Sequence, residues 1–208
     1  MSRLFDIARE KAHQRTITIT TYPAGQDKIL IEGVLIDRRF TENYLITGEK
    51  RPVGNFHHMV ILLLVNSVSM RIEDVDVELI TTPRDECKKI KDSLNAIKGE
   101  WIIKGFSSKI NSLIGNEKSC AHLRTLLLAM SPTAIQGAFS IRAQKPLDLR
   151  YFINNPQLEK RFMSTLLNTC YVWRENGPEY RNVLDMIDTV RRSSISTIDT
   201  KEKSSLQS

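Results

Sequence analysis

The sequence predicts an α+β fold: an antiparallel β-meander of about four strands followed by a helical layer packed on one face. Strand-type patterning is confined to residues 16–80, and helix-type patterning takes over beyond them, an order that favours segregated layers over alternating βαβ units. With 208 residues, 41% of them hydrophobic, the chain can bury one sizeable core. A single domain is therefore expected over 1–192.

Thr16-Ile17-Thr18-Ile19-Thr20 alternates with period two, and Ile29 to Ile36 is a β-branched run interrupted by Glu32-Gly33. Tyr22-Pro23-Ala24-Gly25 reads as the turn between them. A polar loop from Arg38 to Asn55 leads to a second pair, Met59 to Val65 and Met70 to Ile80, joined across Asn66-Ser67.

The helical half opens at Thr82-Pro83, where Thr82 can cap, Pro83 can take the first helical position and Asp85 suits the dipole; Gly99 ends that helix. Cys87, Ile90, Leu94 and Ile97 share one face of it. A second helix is predicted from Phe106 to Ile114, stopped by Gly115, and a third is capped by Ser119. The third carries Leu123, Leu126, Leu127 and Met130 as its stripe and is kinked or restarted at Pro132. Asn155-Pro156 opens a later helix to about Asn168. Residues 193–208 are polar and without period, so a disordered tail is expected there.

No stretch reaches the roughly 18 apolar residues of a membrane helix; the richest run, Met59 to Val65, is closed by Asn66. Met1 to Gln14 lacks the apolar core of a secretory signal, so a cytoplasmic protein is expected. The net charge of +6 comes from 30 basic and 24 acidic residues interleaved along the chain. That pattern describes a solvated surface rather than a nucleic-acid face, and another protein is the expected partner. No phosphate-binding glycine loop, G-x-S-x-G elbow or H-E-x-x-H motif occurs, so no nucleotide cofactor is expected.

The 3 cysteines, an odd number, make a poor disulfide framework and are expected as free thiols. Cys120 and His122 open one predicted helix and Cys87 another, where unpaired backbone N–H groups and the dipole stabilise a thiolate. Two thiols and an imidazole suit zinc or an iron–sulfur unit, and His57, His58 and Cys170 are candidates for a fourth ligand. In a strand the rings of His57 and His58 face opposite ways, so at most one reaches the site. Core packing is the competing role for each cysteine.

The chain resembles the bacterial domain of unknown function 2889 between His13 and Pro178. The resemblance rests on His13-Gln14-Arg15-Thr16-Ile17, Ile31-Glu32-Gly33 with Leu35-Ile36-Asp37, His58-Met59, and Pro83 with Cys87. It continues through Gly105, Gly115, Cys120-Ala121-His122-Leu123 and Gln136 to Thr169-Cys170. More loosely, the layout is similar to the iron–sulfur scaffold and sulfur-acceptor superfamily, a β-meander with a cysteine at one helix start and a Cys/His pair at a later one. It departs from that pattern in offering a histidine where a strand-loop cysteine stands, and in placing Cys120 before His122.

The leading expectation is an accessory protein that holds metal, an iron–sulfur unit or sulfur through Cys87, Cys120 and His122, with His58 as fourth ligand. The first alternative is a thiol enzyme for acyl or sulfur transfer, with Cys120 or Cys87 as nucleophile and His122 or His58 as base. Residues two apart on a helix do not face each other, so His122 is expected to serve Cys87 rather than Cys120. The second alternative is a protein-binding module with structural cysteines, docking through the Leu123–Met130 stripe or the basic tail.

Overall fold

The computed structural model describes residues 3–103 and 105–205, with 194–205 described as backbone alone. The chain divides into two compact units, Met1–Arg142 and Ala143–Ser208. The break falls inside the span 1–192 that the sequence presents as one domain.

In the first unit a short 3-10 helix, Arg3–Ile7, precedes strands β1 (His13–Pro23) and β2 (Lys28–Arg39). A small hairpin follows, β3 (Asn43–Tyr44) with β4 (Lys50–Arg51), and then β5 (Gly54–Asn66) and β6 (Ile72–Thr81). The four long strands form one antiparallel sheet in the order β1-β2-β5-β6, the meander that the patterning predicts. The hairpin β3/β4 lies in the stretch that reads as a loop, because two-residue strands carry no periodicity to detect.

Burial alternates along β2 and β5. Ile29, Ile31 and Leu35 on one strand and Met59, Ile61, Leu63 and Val65 on the other turn inward. Against this face pack the helices α1 (Phe106–Ile114) and α2 (Ala121–Arg142) and a 3-10 helix, Asp85–Ile97. The last is the helix expected from Thr82. Arg84 stays extended, and the Pro83 carbonyl accepts a hydrogen bond from Arg51 Nη2 (3.1 Å), so Pro83 sits before the helix rather than in its first turn. The stripe Leu123, Leu126, Leu127 and Met130 is fully buried in the sheet-facing core. It is therefore closed to a partner, which corrects the docking role considered for it.

Helix α2 runs through Pro132 without ending there. Proline removes the N–H that the Leu128 carbonyl would have accepted, and Ser131 Oγ, at 3.1 Å, donates to that carbonyl instead. Close approach of α2 to the sheet needs two glycines. A Cβ on Gly33 of β2 would meet Met130 Sδ at 2.5 Å, and one on Gly137 would meet Thr21 Oγ1 at 2.3 Å.

The second unit holds α3 (Leu149–Ile153), α4 (Pro156–Leu166) and α5 (Pro178–Ser205). Asp148 caps α3 by accepting the Tyr151 N–H at 3.0 Å, and Pro156 takes the first position of α4 as the sequence predicts. Phe152, Ile153, Met163 and Ile187 form its core, and Arg191 of α5 pairs with Glu159 of α4 at 2.8 Å. The expected tail boundary at 193 falls within the backbone of α5; residues 206–208 lie outside the described residues.

In an exposed helix, replacing glycine by alanine stabilises by about 1 kcal/mol. At Gly137 the added methyl meets Thr21 side-chain atoms at 2.3–2.6 Å. Gly137→Ala is therefore expected to reverse that sign and lower stability by about 1–3 kcal/mol, measured as a fall in the urea midpoint. A raised midpoint would show that α2 does not approach β1 this closely.

Candidate functional site

The register of the sheet builds the floor of the site. Ile17, Leu35 and Met59 face one another across β1, β2 and β5, and the next inward row is Arg15, Asp37 and His57. The alternation that buries Leu35 also buries Asp37, which is 3% exposed. A buried carboxylate must be paired, and Arg15 pairs it with a two-pronged fork: Nε to Oδ1 and Nη2 to Oδ2, both at 2.7 Å. His57 Nδ1 lies 3.1 Å from Oδ2 and His13 Nε2 3.3 Å from Oδ1. Just past Asp37 the register shifts, so that Asp37 faces His57 while Arg38 faces Asn55 and Phe56 is the extra residue of a bulge.

The start of α2 supplies the roof. The Cys120 carbonyl accepts the Arg124 N–H at 3.0 Å, so Cys120, rather than Ser119, holds the capping position. The Ser119 hydroxyl instead meets that of Ser93 at 2.8 Å. From the cap, Cys120 Sγ folds back to accept the His122 N–H at 3.3 Å and lies 3.3 Å from His122 Nδ1. The rule that residues two apart do not meet holds inside a helix; Cys120 escapes it by standing at the boundary. His122 therefore meets Cys120 across the cap.

The other ring nitrogen of His122, Nε2, lies 3.5 Å from Asp37 Oδ2. The His122 ring stacks on His57 with centroids 3.8 Å apart and 30° between planes. A continuous path thus runs from Cys120 Sγ through both nitrogens of His122 to Asp37.

The charges follow from these contacts. Burial pushes the Asp37 carboxyl up, but the Arg15 fork and charge, with help from the His57 and His122 imidazoles, outweigh it and leave the carboxyl at about 2. Burial, followed by repulsion from His122, takes His57 down to about 4 despite Asp37, so the ring is neutral at pH 7. Burial also raises the Cys120 thiol, yet the His122 imidazole and the backbone N–H groups of Leu123 and His122 bring it below its usual value.

Two depressions flank this path. One, of about 450 Å³, is lined by His13, Arg15, Asp37, Arg39, Thr41, Asn43, Phe56, His57 and His122, with Ala12 at its edge. The other, of about 140 Å³, is lined by Ile114, Asn116, Ser119, Cys120, Ala121 and Arg124.

Of the residues expected from the sequence, the fold brings Cys120, His122 and His57 together. His58 is on the opposite face of β5, because His57 shares the parity of buried Met59 and Ile61. Cys87, half-buried, opens the 3-10 helix Asp85–Ile97. Among the described residues, the group of three side chains whose donor atoms all lie within 4.8 Å of one another is Asp37, His57 and His122, without Cys87. Cys170 is exposed in the second unit, after α4. Asp37 and Arg15 were not anticipated as site residues. The signal was present: Asp37 continues the inward parity of Ile29, Ile31 and Leu35, and a lone acid there requires a partner.

An antiparallel meander under a helical layer, carrying a capping thiol, an imidazole and a forked carboxylate in line, defines an α+β protein with a Cys/His/Asp centre. The chain belongs to the family described as "Protein of unknown function (DUF2889)", whose family model matches residues 13–136. The match covers the sheet and α2 as far as Gln136, and Thr169-Cys170 lies beyond it. Neither the curated proteins nor the solved structures contain a match, and the looser likeness to iron–sulfur scaffolds finds no support in them. Among the described residues, no helix is long and apolar enough to cross a membrane.

Acidification should destabilise the protein in two steps. His57 titrates at about 4 in the folded chain against 6.5 ordinarily, so the unfolded state binds more protons in that interval and stability falls as pH drops through it. Asp37, at about 2 against 3.8, adds a second loss as pH falls through its own interval, on the order of 2 kcal/mol. Urea midpoints recorded against pH should show both, and His57→Gln should flatten the first. A flat profile for the wild type between pH 7 and about 4 would contradict the burial of His57.

Proposed function

We propose that the protein is a thiol enzyme in which Cys120 is the nucleophile, His122 its base and Asp37 the group that orients the base. The observation that carries this reading is the line Cys120 Sγ to His122 Nδ1 at 3.3 Å and His122 Nε2 to Asp37 Oδ2 at 3.5 Å. A nucleophile, a base and an orienting carboxylate in line is the arrangement that activates a thiol once the last contact closes. The second distance is at the outer limit of hydrogen bonding and needs to close by a few tenths of an ångström on substrate binding.

In the reaction, the Cys120 proton passes to His122 Nδ1 as the sulfur attacks an acyl carbon. The leaving group departs with that proton, and the acyl group remains on sulfur as a thioester for transfer to an acceptor. The same thiolate accepts a terminal sulfur from a persulfide donor, with the donor thiolate as leaving group. A second protein is the natural donor or acceptor in either case.

The test is alkylation by iodoacetamide at neutral pH in a Cys87→Ser, Cys170→Ser background, so that Cys120 alone reports. His122→Ala is expected to slow the reaction about tenfold or more, and Asp37→Asn to slow it less. Equal rates in all three would remove the relay.

A second reading rests on a different observation. The donor atoms of Asp37, His57 and His122 lie within 4.8 Å of one another, a spacing open to zinc or iron. Against it, Arg15 engages both Asp37 oxygens, and His122 directs its nitrogens to opposite neighbours rather than to one point. An iron–sulfur unit on Cys87, Cys120, His122 and His58 would require His58 to cross the sheet. Anaerobic purification with metal analysis separates the readings. Stoichiometric metal lost in His57→Ala but kept in Cys87→Ser supports the second; folded, metal-free wild type removes it.

A further inference from the structure

The 450 Å³ depression has features that the thiol path does not explain. Its size falls within the roughly 300–1,000 Å³ of ligand pockets. Its lining includes two guanidiniums, Arg15 and Arg39, and one carboxylate, Asp37. Arg15 is committed to Asp37 through both prongs of its fork. Arg39 is the guanidinium of the two that is not spent on that carboxylate.

Arg39 is also held in place. Its guanidinium lies over the Phe56 ring, 3.7 Å from the centroid, and its Nη1 donates to Asn43 Oδ1. Asn43 is anchored in turn by donating from Nδ2 to the Thr41 carbonyl at 3.2 Å. Phe56 is the bulge residue of β5, and Asn43 begins β3, so two irregular pieces of chain converge to aim one arginine. Among the described residues Arg39 has no acidic partner. A guanidinium that is stacked, braced and facing a cavity without a counter-ion is preorganised for an anion, because little side-chain freedom remains to be lost when the anion binds.

We propose that this depression binds a small molecule carrying one oxyanion group, a carboxylate or a phosphate, on Arg39. Thr41 lines the same depression, and the rest of the ligand extends toward His57 and His122. The site does not rest on the thiol reading: none of its binding groups is Cys120, and Cys120 does not line it.

The experiment is titration calorimetry of the full chain, and of Cys120→Ala, with sodium acetate, sodium benzoate and inorganic phosphate. At least one anion should bind saturably, equally well to both proteins and more weakly as ionic strength rises. Acetate and benzoate against phosphate decide which oxyanion the site prefers. Arg39→Gln should weaken binding about tenfold or more, the effect of losing a charge-assisted fork. Asn43→Ala, which keeps the charge but removes its brace, should weaken it less, with circular dichroism confirming that both variants are folded. If none of the three anions binds saturably, or if folded Arg39→Gln or Asn43→Ala binds like the wild type, the proposal is wrong. Loss of binding in Cys120→Ala alone would overturn the independence of this site from the thiol.

Discussion

The Asp37 carboxylate, buried at the end of an apolar sheet face and clasped by Arg15, is the interaction on which the rest of the site depends. A charge taken out of water costs several kcal/mol unless paired, and removing one partner of a buried pair costs about 3–5 kcal/mol. Such a pair therefore resists register error. A one-residue slip of β1 or β5 against β2 would remove Arg15 or His57 from its place opposite Asp37, and would turn the apolar rows beside them out of the core. Hydrophobic and polar rows thus demand the same alignment. The floor of the site is as rigid as the sheet that contains it.

On that floor His122 decides the chemistry, because its two nitrogens serve different neighbours. In a metal centre the donor atoms converge on one point. Here Nδ1 faces a thiol and Nε2 faces a carboxylate, which orders the groups along a path instead. His57 fits the same logic from the side. Kept neutral by burial, it stacks on His122 and covers one face of the ring without adding a positive charge next to it. The surrounding groups set His122 between a thiol and a carboxylate, the order on which the proposed thiol chemistry rests.

Much of the fold was legible in the residues. Period-two alternation located β1 and β6, apolar and β-branched runs located β2 and β5, and the bounds of α1 followed from its apolar spacing and Gly115. The site was less legible for identifiable reasons. From Met59 to Val65 both faces of β5 are apolar, so the pattern could not tell whether His57 or His58 shares the buried side. The Cys120–His122 contact was argued away by helical geometry, and a displacement of the cap by one residue restored it. Asp37 and Arg15 obeyed a readable parity, yet attention to thiol ligands passed over a lone acid on an inward position. Arg39 depends on a bulge and a two-residue hairpin, and neither leaves a periodic trace.

The roof and floor belong to different parts of the chain, so their alignment must be carried through α2. Gly137 fixes one end of that helix against Thr21, and Arg142 adds a hydrogen bond to the Ser67 carbonyl at 2.9 Å. Cys120 and His122 stand at the other end, about 25 Å away at the usual helical rise. A hinge at Pro132 would uncouple the two ends, since proline normally leaves a carbonyl unpaired and lets a helix bend. Ser131 donates to that carbonyl, Thr133 donates to the next one at 3.2 Å, and Ala134 packs into the core beside them. The helix is therefore continuous from Ala121 to Arg142 across the proline. The small-residue contacts at its far end thus belong to the same continuous helix that carries His122 over Asp37.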